Sequence, residues 1–321
     1  MKNFKNQPFR DISKTGKDRD WQRRKRANLE YAKRLELLGY KAFSRVMQCA
    51  EVLKFLQGQD GTLKLQQAWF CKSKLCPICN WRRSMKYSAQ ISQIIDVAIT
   101  RQPTAKFIFL TLTVKNVRGE DLEAELKHLN KSFARLFDRT KVKKSVIGYL
   151  RAVEVTYNSE RDDYHPHIHV MLMVKSSYFK KKEYYIPQEE WTEMWQQSAK
   201  LDYTPIVDVR KVKPHKKKAK DEMDLRGAII ETAKCPTKPI EVMGETEAQK
   251  LKITDDLYKA LYRKRQIGFG GLFKEIRKEL QLEDVENGDL IHVDEDNDET
   301  TLGIEIVAVW NWERMNYYVA E

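Results

Sequence analysis

The sequence predicts an α+β fold in which helices flank a central antiparallel β-sheet. Residues 164–172 alternate histidines with apolar side chains, as a half-buried strand does. Residues 107–114 and 148–157 have the composition of two further strands. Residues 120–138 between them repeat large apolar side chains at helical spacing, which predicts an amphipathic helix over the sheet.

Charge is distributed unevenly along the 321 residues, which carry a net charge of +13. Residues 1–40 hold twelve Lys and Arg against five Asp and Glu, whereas residues 281–321 hold one Arg against twelve acids. The remaining +17 on residues 41–280 favours a polyanionic partner, and nucleic acid is the first candidate. With 41% hydrophobic residues and no apolar run that could span a bilayer, we expect a soluble, cytoplasmic protein.

Four segments are predicted along the chain. Residues 1–40 form a basic N-terminal extension with a helix over Trp21–Leu38, and residues 41–100 carry most of the cysteines. Residues 101–243 form the main domain. Residues 244–321 form a C-terminal region with an acidic tail, which is either a solvated surface or a mask for a basic groove.

The cysteines predict a structural zinc site. A Cys-x-x-Cys turn, here Cys76 and Cys79, makes a hairpin whose thiolates can share one zinc, and Cys49 and Cys71 could complete a tetrahedral sulfur set. Unpaired reduced thiols or a redox pair are the alternatives.

Two arginines follow this cysteine segment directly. A zinc knuckle would hold Arg82 and Arg83 rigidly toward DNA. Loss of the metal is then expected to unfold the segment.

The histidine strand predicts a second, different metal site. His165, His167 and His169 occupy alternate positions, so their side chains point to one face of the strand. If the chain turns through residues 158–163, the preceding strand pairs antiparallel with this one, and Glu154 could join the ligand set. Imidazoles and a carboxylate with positions left open suit Mg²⁺ or Mn²⁺ acting on a phosphate.

A helical pattern returns over residues 221–235. Glu231 and Cys235 are four residues apart and would share a helix face, so that a carboxylate and a nucleophile could face the metal. Lys234 and Lys238 would lie near the phosphate.

Three of these motifs together resemble those of rolling-circle plasmid replication initiators in the HUH endonuclease superfamily. The matching segments are Phe109–Thr113, His165–Leu172 and Glu231-x-x-Lys234-Cys235-x-x-Lys238. Three further segments are similar to that family: the cysteine pattern that ends at Arg83, the segment Ile267–Leu272, and the segment Ala308–Trp312.

The resemblance implies an HUH endonuclease fold and an enzyme that nicks one strand at a plasmid origin, remains joined to the 5′ phosphate and leaves a 3′ hydroxyl. His167 and His169 would hold the metal with Glu154, and His165 is a further candidate ligand. Glu231 would activate water or assist proton transfer. The implied partners are single-stranded or cruciform origin DNA, a host helicase and a polymerase. A homodimer is also considered.

One position departs from the family pattern. The family places its nucleophilic tyrosine after the lysine of the third motif, where this chain has Cys235. A thiolate suits phosphate diesters poorly as a nucleophile. Three explanations are open: an inactivating substitution, a nucleophile supplied by Tyr203 or Tyr157, or metal-dependent hydrolysis assisted by Glu231 alone.

Two other functions are compatible with the sequence. The first is a protein that binds the origin or regulates it without cutting, through salt-sensitive basic contacts. The second is a relaxase or transposase that shares the HUH chemistry.

Overall fold

The computed structural model describes residues 7–213, 215–216, 223–224, 227, 244–293 and 303–320. The chain folds into two compact units, one formed by Met1–Lys86 with Glu283–Glu321 and the other by Tyr87–Leu282. The sheets in both are antiparallel, as expected for the α+β class. The four-segment division of the sequence remains a prediction. No helix among the described residues has the length and apolarity that crossing a membrane requires.

The first unit is built on a four-stranded sheet with strand order β11-β10-β1-β2. Its helices are α1 (Trp21–Leu37), α2 (Ala42–Met47) and the first residues of α3 (Pro77–Arg101), and its strands are β1 (Val52–Gln57), β2 (Leu63–Ala68), β10 (Ile304–Asn311) and β11 (Asn316–Val319). The predicted N-terminal helix is confirmed as α1. Its Trp21 ring packs edge-on against Phe55 of β1, with 6.2 Å between centroids, so α1 covers one face of this sheet.

Residues 304–319 of the C-terminal region form two strands of this sheet, while the acidic tail stays a prediction. Strand β10 pairs with β1 from Val52 opposite Val309 to Gln57 opposite Ile304. Ahead of it, Glu283 and Glu286 form ion pairs with Lys86 and Lys74. The ion pairs of Glu283 and Glu286 and the backbone hydrogen bonds of β10 hold these residues in place. Residues 294–302 lie outside the described part of the chain.

The second unit is built on a five-stranded sheet with strand order β6-β3-β5-β4-β9. Its strands are β3 (Lys106–Thr113), β4 (Val146–Asn158), β5 (Asp163–Val174), β6 (Val207–Lys211) and β9 (Ile267–Gly271). Its helices are the rest of α3, α4 (Gly119–Asp138), α5 (Thr140–Ser145), α6 (Gln188–Ala199), α7 (Glu247–Ala260) and α8 (Leu272–Glu279). The predicted strands and the amphipathic helix are confirmed as β3, β4, β5 and α4.

Helix α4 covers one face of this sheet. Its Phe133 ring packs against Tyr149 of β4 at 5.4 Å, and Tyr149 lies opposite Leu172 of β5. Side chains directly opposite each other in a pair share a face, so α4 lies over the apolar residues of β5 that alternate with the histidines. The imidazoles therefore project from the opposite face.

A short two-stranded ribbon replaces the start of a predicted helix. Strands β7 (His215–Lys216) and β8 (Met223–Asp224) pair antiparallel, so the helix predicted from Asp221 does not begin there. The sequence does not reveal this pairing, because strands of two residues are too short to show an alternation of apolar and polar side chains. The other residues of that prediction, apart from residue 227, lie outside the described part of the chain.

A glycine shapes the junction of β9 and α8. Gly271 has φ +53°, and a Cβ there would meet the carbonyl oxygen of Ile147 at 2.3 Å. We expect Gly271→Ala to lower the free energy of unfolding by about 2–4 kcal/mol, because positive φ and a backbone clash both penalise it. Gly61→Ala is the control, since Gly61 has φ +81° and nothing within 4 Å of its added Cβ. Equal losses in urea unfolding for both variants would contradict the clash.

Candidate metal centres

The register of β4 and β5 brings the three predicted metal ligands together. Glu154 lies directly opposite His167, and His169 follows two residues later on the same face. The strands join through a short turn after Asn158, as the sequence predicted. Glu154, His167 and His169 offer ligand atoms that all lie within 4.8 Å of one another.

The separations of these atoms suit one shared cation. His167 Nε2 lies 3.2 Å from His169 Nε2, and Glu154 Oε2 lies 3.1 Å from His169 Nε2 and 3.6 Å from His167 Nε2. Two ligand atoms about 2.1 Å from one ion are ~3.0 Å apart at right angles and ~3.4 Å apart at the tetrahedral angle. The donor set therefore fits a divalent cation with little movement.

The second ring nitrogen of each histidine has its own partner. His167 Nδ1 lies 3.1 Å from the carbonyl oxygen of His165, and His169 Nδ1 lies 3.1 Å from Thr111 Oγ1. An Nδ1–H donated to these oxygens leaves the lone pair on Nε2, which is the nitrogen that faces the cluster. The Phe109 ring stacks on His169 with 5.3 Å between centroids and fixes its plane. Thr111 and Phe109 belong to the Phe109–Thr113 motif, and the structure gives them a supporting role beside His169 that the sequence did not predict.

The electrostatics of the cluster favour an ionised carboxylate. Hydrogen bonds from His167 and then His169 hold the pKa of Glu154 well below its usual value, against the effect of burial. The Glu154 side chain is 43% exposed, while those of His167 and His169 are more buried. A cation held here would retain open positions for a substrate oxygen, and mixed nitrogen and oxygen ligands suit Mn²⁺ or Mg²⁺.

His165 lies outside this ligand cluster. Its ring stacks on that of His167 at 5.1 Å, but its nitrogens are not among the ligand atoms that come together. Burial, and next the neighbouring His167, lower its pKa and favour the neutral imidazole.

Both tyrosines considered as alternative nucleophiles have hydrogen-bond partners. Tyr157 donates its hydroxyl hydrogen to Asp162 Oδ1 at 2.8 Å. The Tyr203 oxygen accepts the backbone N–H of Lys115 at 2.8 Å, and the Lys115 ammonium lies 4.0 Å from the Tyr203 ring centroid. Burial raises the pKa of both phenols, which disfavours the phenolate form needed for attack.

The third predicted motif cannot be placed. Glu231, Lys234, Cys235 and Lys238 all lie outside the described residues. Their roles stay predictions from the sequence.

The four cysteines form a closed, buried cluster. Cys49 Sγ and Cys71 Sγ each lie 3.6 Å from Cys79 Sγ, and Cys76 Sγ lies 3.7 Å from Cys49 Sγ. Sulfurs about 2.3 Å from one tetrahedral zinc are ~3.8 Å apart. The four thiols therefore fit the structural zinc site that the sequence predicted, with no position open to substrate.

Local structure around the cysteines differs from the expected hairpin. Cys76 precedes α3 and Cys79 lies in its first turn, so a helix start brings these two sulfurs together. Lys25 of α1 is fully buried beside the cluster and donates to the carbonyl oxygens of Met47 at 2.6 Å and Cys49 at 2.8 Å. A cation enclosed here balances negative charge, and four thiolates with one Zn²⁺ carry a net charge of −2.

The burial of Arg82 and Arg83 disfavours the DNA contacts predicted for them. They are 3% and 4% exposed, because α3 carries both side chains into the first unit. Arg82 donates to the carbonyl oxygens of Leu290 and Ile291, and Arg83 to those of Ser73 and Lys72. Their guanidinium groups thus brace the chain around the cysteine cluster and the acidic segment.

Comparison with known proteins identifies close relatives. A family model described as "Replication protein" matches residues 62–318. "Protein rep" of Streptococcus pneumoniae serotype 2 is 55% identical over 312 residues, covering 96% of this chain and 94% of the relative. "Protein rep" of Lentilactobacillus hilgardii is 44% identical over 314 residues, covering 97% and 98%. A "Replication protein" of Staphylococcus aureus is 43% identical over 238 residues, covering 74% of this chain and all of the relative. No solved structure matches the chain.

Removal of the hydroxyl on Thr111 tests the orientation of His169. We expect Thr111→Val to weaken Mn²⁺ binding about 10–100-fold, because the imidazole loses the partner of its Nδ1. Titration calorimetry on the zinc-loaded protein measures this. Thr113→Val is the matched control, since Thr113 donates to the carbonyl oxygen of Ile206 instead of contacting an imidazole. Equal Mn²⁺ affinity in both variants would refute the role of Thr111.

Metal analysis tests the cysteine cluster. We expect one zinc per chain, lost in Cys79→Ala together with a drop in melting temperature of ~10 °C or more, because a structural zinc contributes folding free energy directly. Cys235→Ala is the matched control and should retain the metal. If the purified wild type contains no zinc and Cys79→Ala melts at the same temperature as the wild type, the cluster is four reduced thiols.

Proposed function

The chain belongs to the replication-protein (Rep) family, and on that premise we propose that it initiates rolling-circle replication of a plasmid by nicking and rejoining one strand at the origin. The single observation that carries the proposal is the cluster of Glu154, His167 and His169. Its ligand atoms are spaced for one cation, and the Glu154 side chain is 43% exposed, so a substrate oxygen could reach a cation held there. The sequence motifs imply the nicking reaction, and the match to replication proteins supports a role in replication.

Different residues of the chain have different roles in phosphodiester cleavage. His167 and His169 would hold the cation through Nε2, and Glu154 would supply the anionic ligand. Thr111 and the His165 carbonyl orient the two rings. When bound, Mg²⁺ or Mn²⁺ supplies Lewis-acid polarisation of the scissile phosphate. Glu231 is assigned to proton transfer or to activation of water, and Lys234 and Lys238 to binding of phosphate oxygens.

Residue 235 determines whether cleavage passes through a covalent intermediate. In the tyrosine chemistry implied by the sequence resemblance, the phenolic oxygen forms a bond to phosphorus as the bond to the 3′ oxygen breaks. The departing 3′ oxygen takes a proton, and the 5′ phosphate stays on the protein. Cys235 lacks this phenol, so we assign it as a substitution that disables covalent nicking while leaving the metal ligands intact.

The partners follow from charge and family. The +17 on residues 41–280 supports binding of single-stranded or cruciform origin DNA, whose phosphates would release counterions on contact. A host helicase and polymerase, a location in the cytoplasm and a homodimer belong to the same proposal. Zinc in the cysteine cluster would stabilise the first unit without taking part in the chemistry.

A second candidate function is origin binding without cleavage, as in a regulatory DNA-binding protein. The presence of Cys235 favours it, because basic contacts act through counterion release whatever residue stands at that position. A relaxase or transposase is disfavoured by the match to replication proteins over residues 62–318.

Restoring a tyrosine tests the assignment of residue 235. We expect Cys235→Tyr, incubated with Mn²⁺ and a randomised single-stranded DNA library, to form protein–DNA adducts that survive denaturing electrophoresis. The wild type should give none, because it lacks the phenol. His167→Ala in the tyrosine background should reduce adducts about 100-fold or more, since the metal contributes several kcal/mol of charge stabilisation.

Cys235→Phe is the matched control, because it adds the ring without the reacting oxygen. Adducts with Cys235→Phe would place the nucleophile elsewhere, whereas adducts with wild type that Cys235→Phe abolishes would identify the Cys235 thiol as the nucleophile. Absence of adducts in every variant, with DNA binding retained, would favour the non-cleaving function.

A further inference from the structure

The sheet of the first unit has a second face that α1 does not cover. Leu53 and Phe55 of β1 point toward α1 and are buried, whereas Val52 and Lys54 alternate with them and point outward. The strand register places Val309 opposite Val52, and Tyr318 opposite Val309. Directly opposed residues share a face, so these side chains form one outer face that runs from β1 to β11.

Trp69 extends this face on the side of β2. It follows Ala68, which lies opposite Leu53 on the inner face, so alternation turns the tryptophan outward. The next residue, Phe70, is buried, which continues the alternation. Trp69 is 50% exposed and Val52 is 41% exposed, so the apolar outer face is accessible to solvent.

Cations accompany the aromatic side chains. Lys54 lies on the outer face, and Lys64 of β2 lies opposite Leu56 on the same face. The Arg314 guanidinium lies 5.1 Å from the centroid of the Tyr318 ring. Glu305 is the acid that the described register places on this face, opposite Leu56. The strand register thus places two cations and one carboxylate on this face, and Arg314 brings a further cation to the Tyr318 ring.

We propose that this outer face binds single-stranded DNA, with bases stacked on Trp69 and Tyr318 and phosphates attracted by Lys54, Lys64 and Arg314. Aromatic rings on a four-stranded sheet suit exposed bases, because every base has a π-face and stacking does not depend on sequence. Three strand spacings of ~4.8 Å separate β2 from β11, which gives ~14 Å for two or three bases.

This inference rests on the proposed function only in that nicking at an origin exposes single strands. The metal ligands belong to the second unit, so the two proposals fail separately. Loss of the nicking proposal would leave binding to the outer face measurable in the same protein. Loss of the stacking proposal would leave His167-dependent adducts in place.

Fluorescence anisotropy with the full chain tests the stacking. The probes are labelled dT12 and an abasic oligomer of equal length, which keeps the phosphates and removes the bases. We expect Trp69→Ala and Tyr318→Ala each to weaken dT12 binding roughly tenfold and to leave abasic binding within about twofold, because stacking requires a base. Trp69→Phe and Tyr318→Phe should retain most of the affinity.

Tyr262→Ala is the matched control, because Tyr262 is a 58% exposed tyrosine with the Arg263 guanidinium 5.2 Å from its ring centroid, in the second unit. It should bind dT12 as wild type does. Unchanged dT12 affinity in both alanine variants, or equal losses for dT12 and the abasic oligomer, would overturn stacking. Dissociation of a dimer by Trp69→Ala in sedimentation, with dT12 affinity unchanged, would instead identify the face as an interface between copies of the chain.

Discussion

The antiparallel pairing of β4 with β5 is the constraint on which the candidate metal centre depends. Side chains alternate along a strand with a period of two, so a slip of one residue would turn His167 and His169 toward α4 and put Ile168 and Val170 in their place. Ile168, Val170 and Leu172 are fully buried, and their burial opposes such a slip. The hydrophobic pattern thus fixes the position of the ligands without contacting the metal.

The two candidate metal centres differ in burial and in ligand type. The cysteine cluster is closed and buried beside an enclosed lysine that offsets part of its negative charge, which suits a metal that holds the fold together. The Glu154, His167 and His169 cluster has one half-exposed carboxylate, which suits a metal that must meet substrate. The chemistry of the ligands matches this difference, because thiolates retain zinc tightly while a mixed nitrogen and oxygen set leaves coordination positions for phosphate oxygens.

Sequence patterns predicted the features that depend on local periodicity. The strand alternation around His167, the turn after Asn158 and the leucine spacing of α4 each depend on neighbouring residues, and the structure confirms them. The ligand set of the cysteine cluster was also predicted, since few residue types bind zinc.

Features set by distant contacts were not predictable in the same way. The pairing of β10 with β1 joins residues some 250 positions apart, which no local pattern reveals. Arg82 looked available because its carbonyl acceptors, such as that of Leu290, come some 200 residues later. Because β1 lacks its neighbour β10 until roughly 250 residues more have been synthesised, at about 5–20 residues per second, this sheet stays incomplete on the ribosome for about 12–50 s. A nascent chain therefore presents an unpaired β1 edge throughout that interval, and messages truncated before β10 would yield a protein with a permanent aggregation-prone edge.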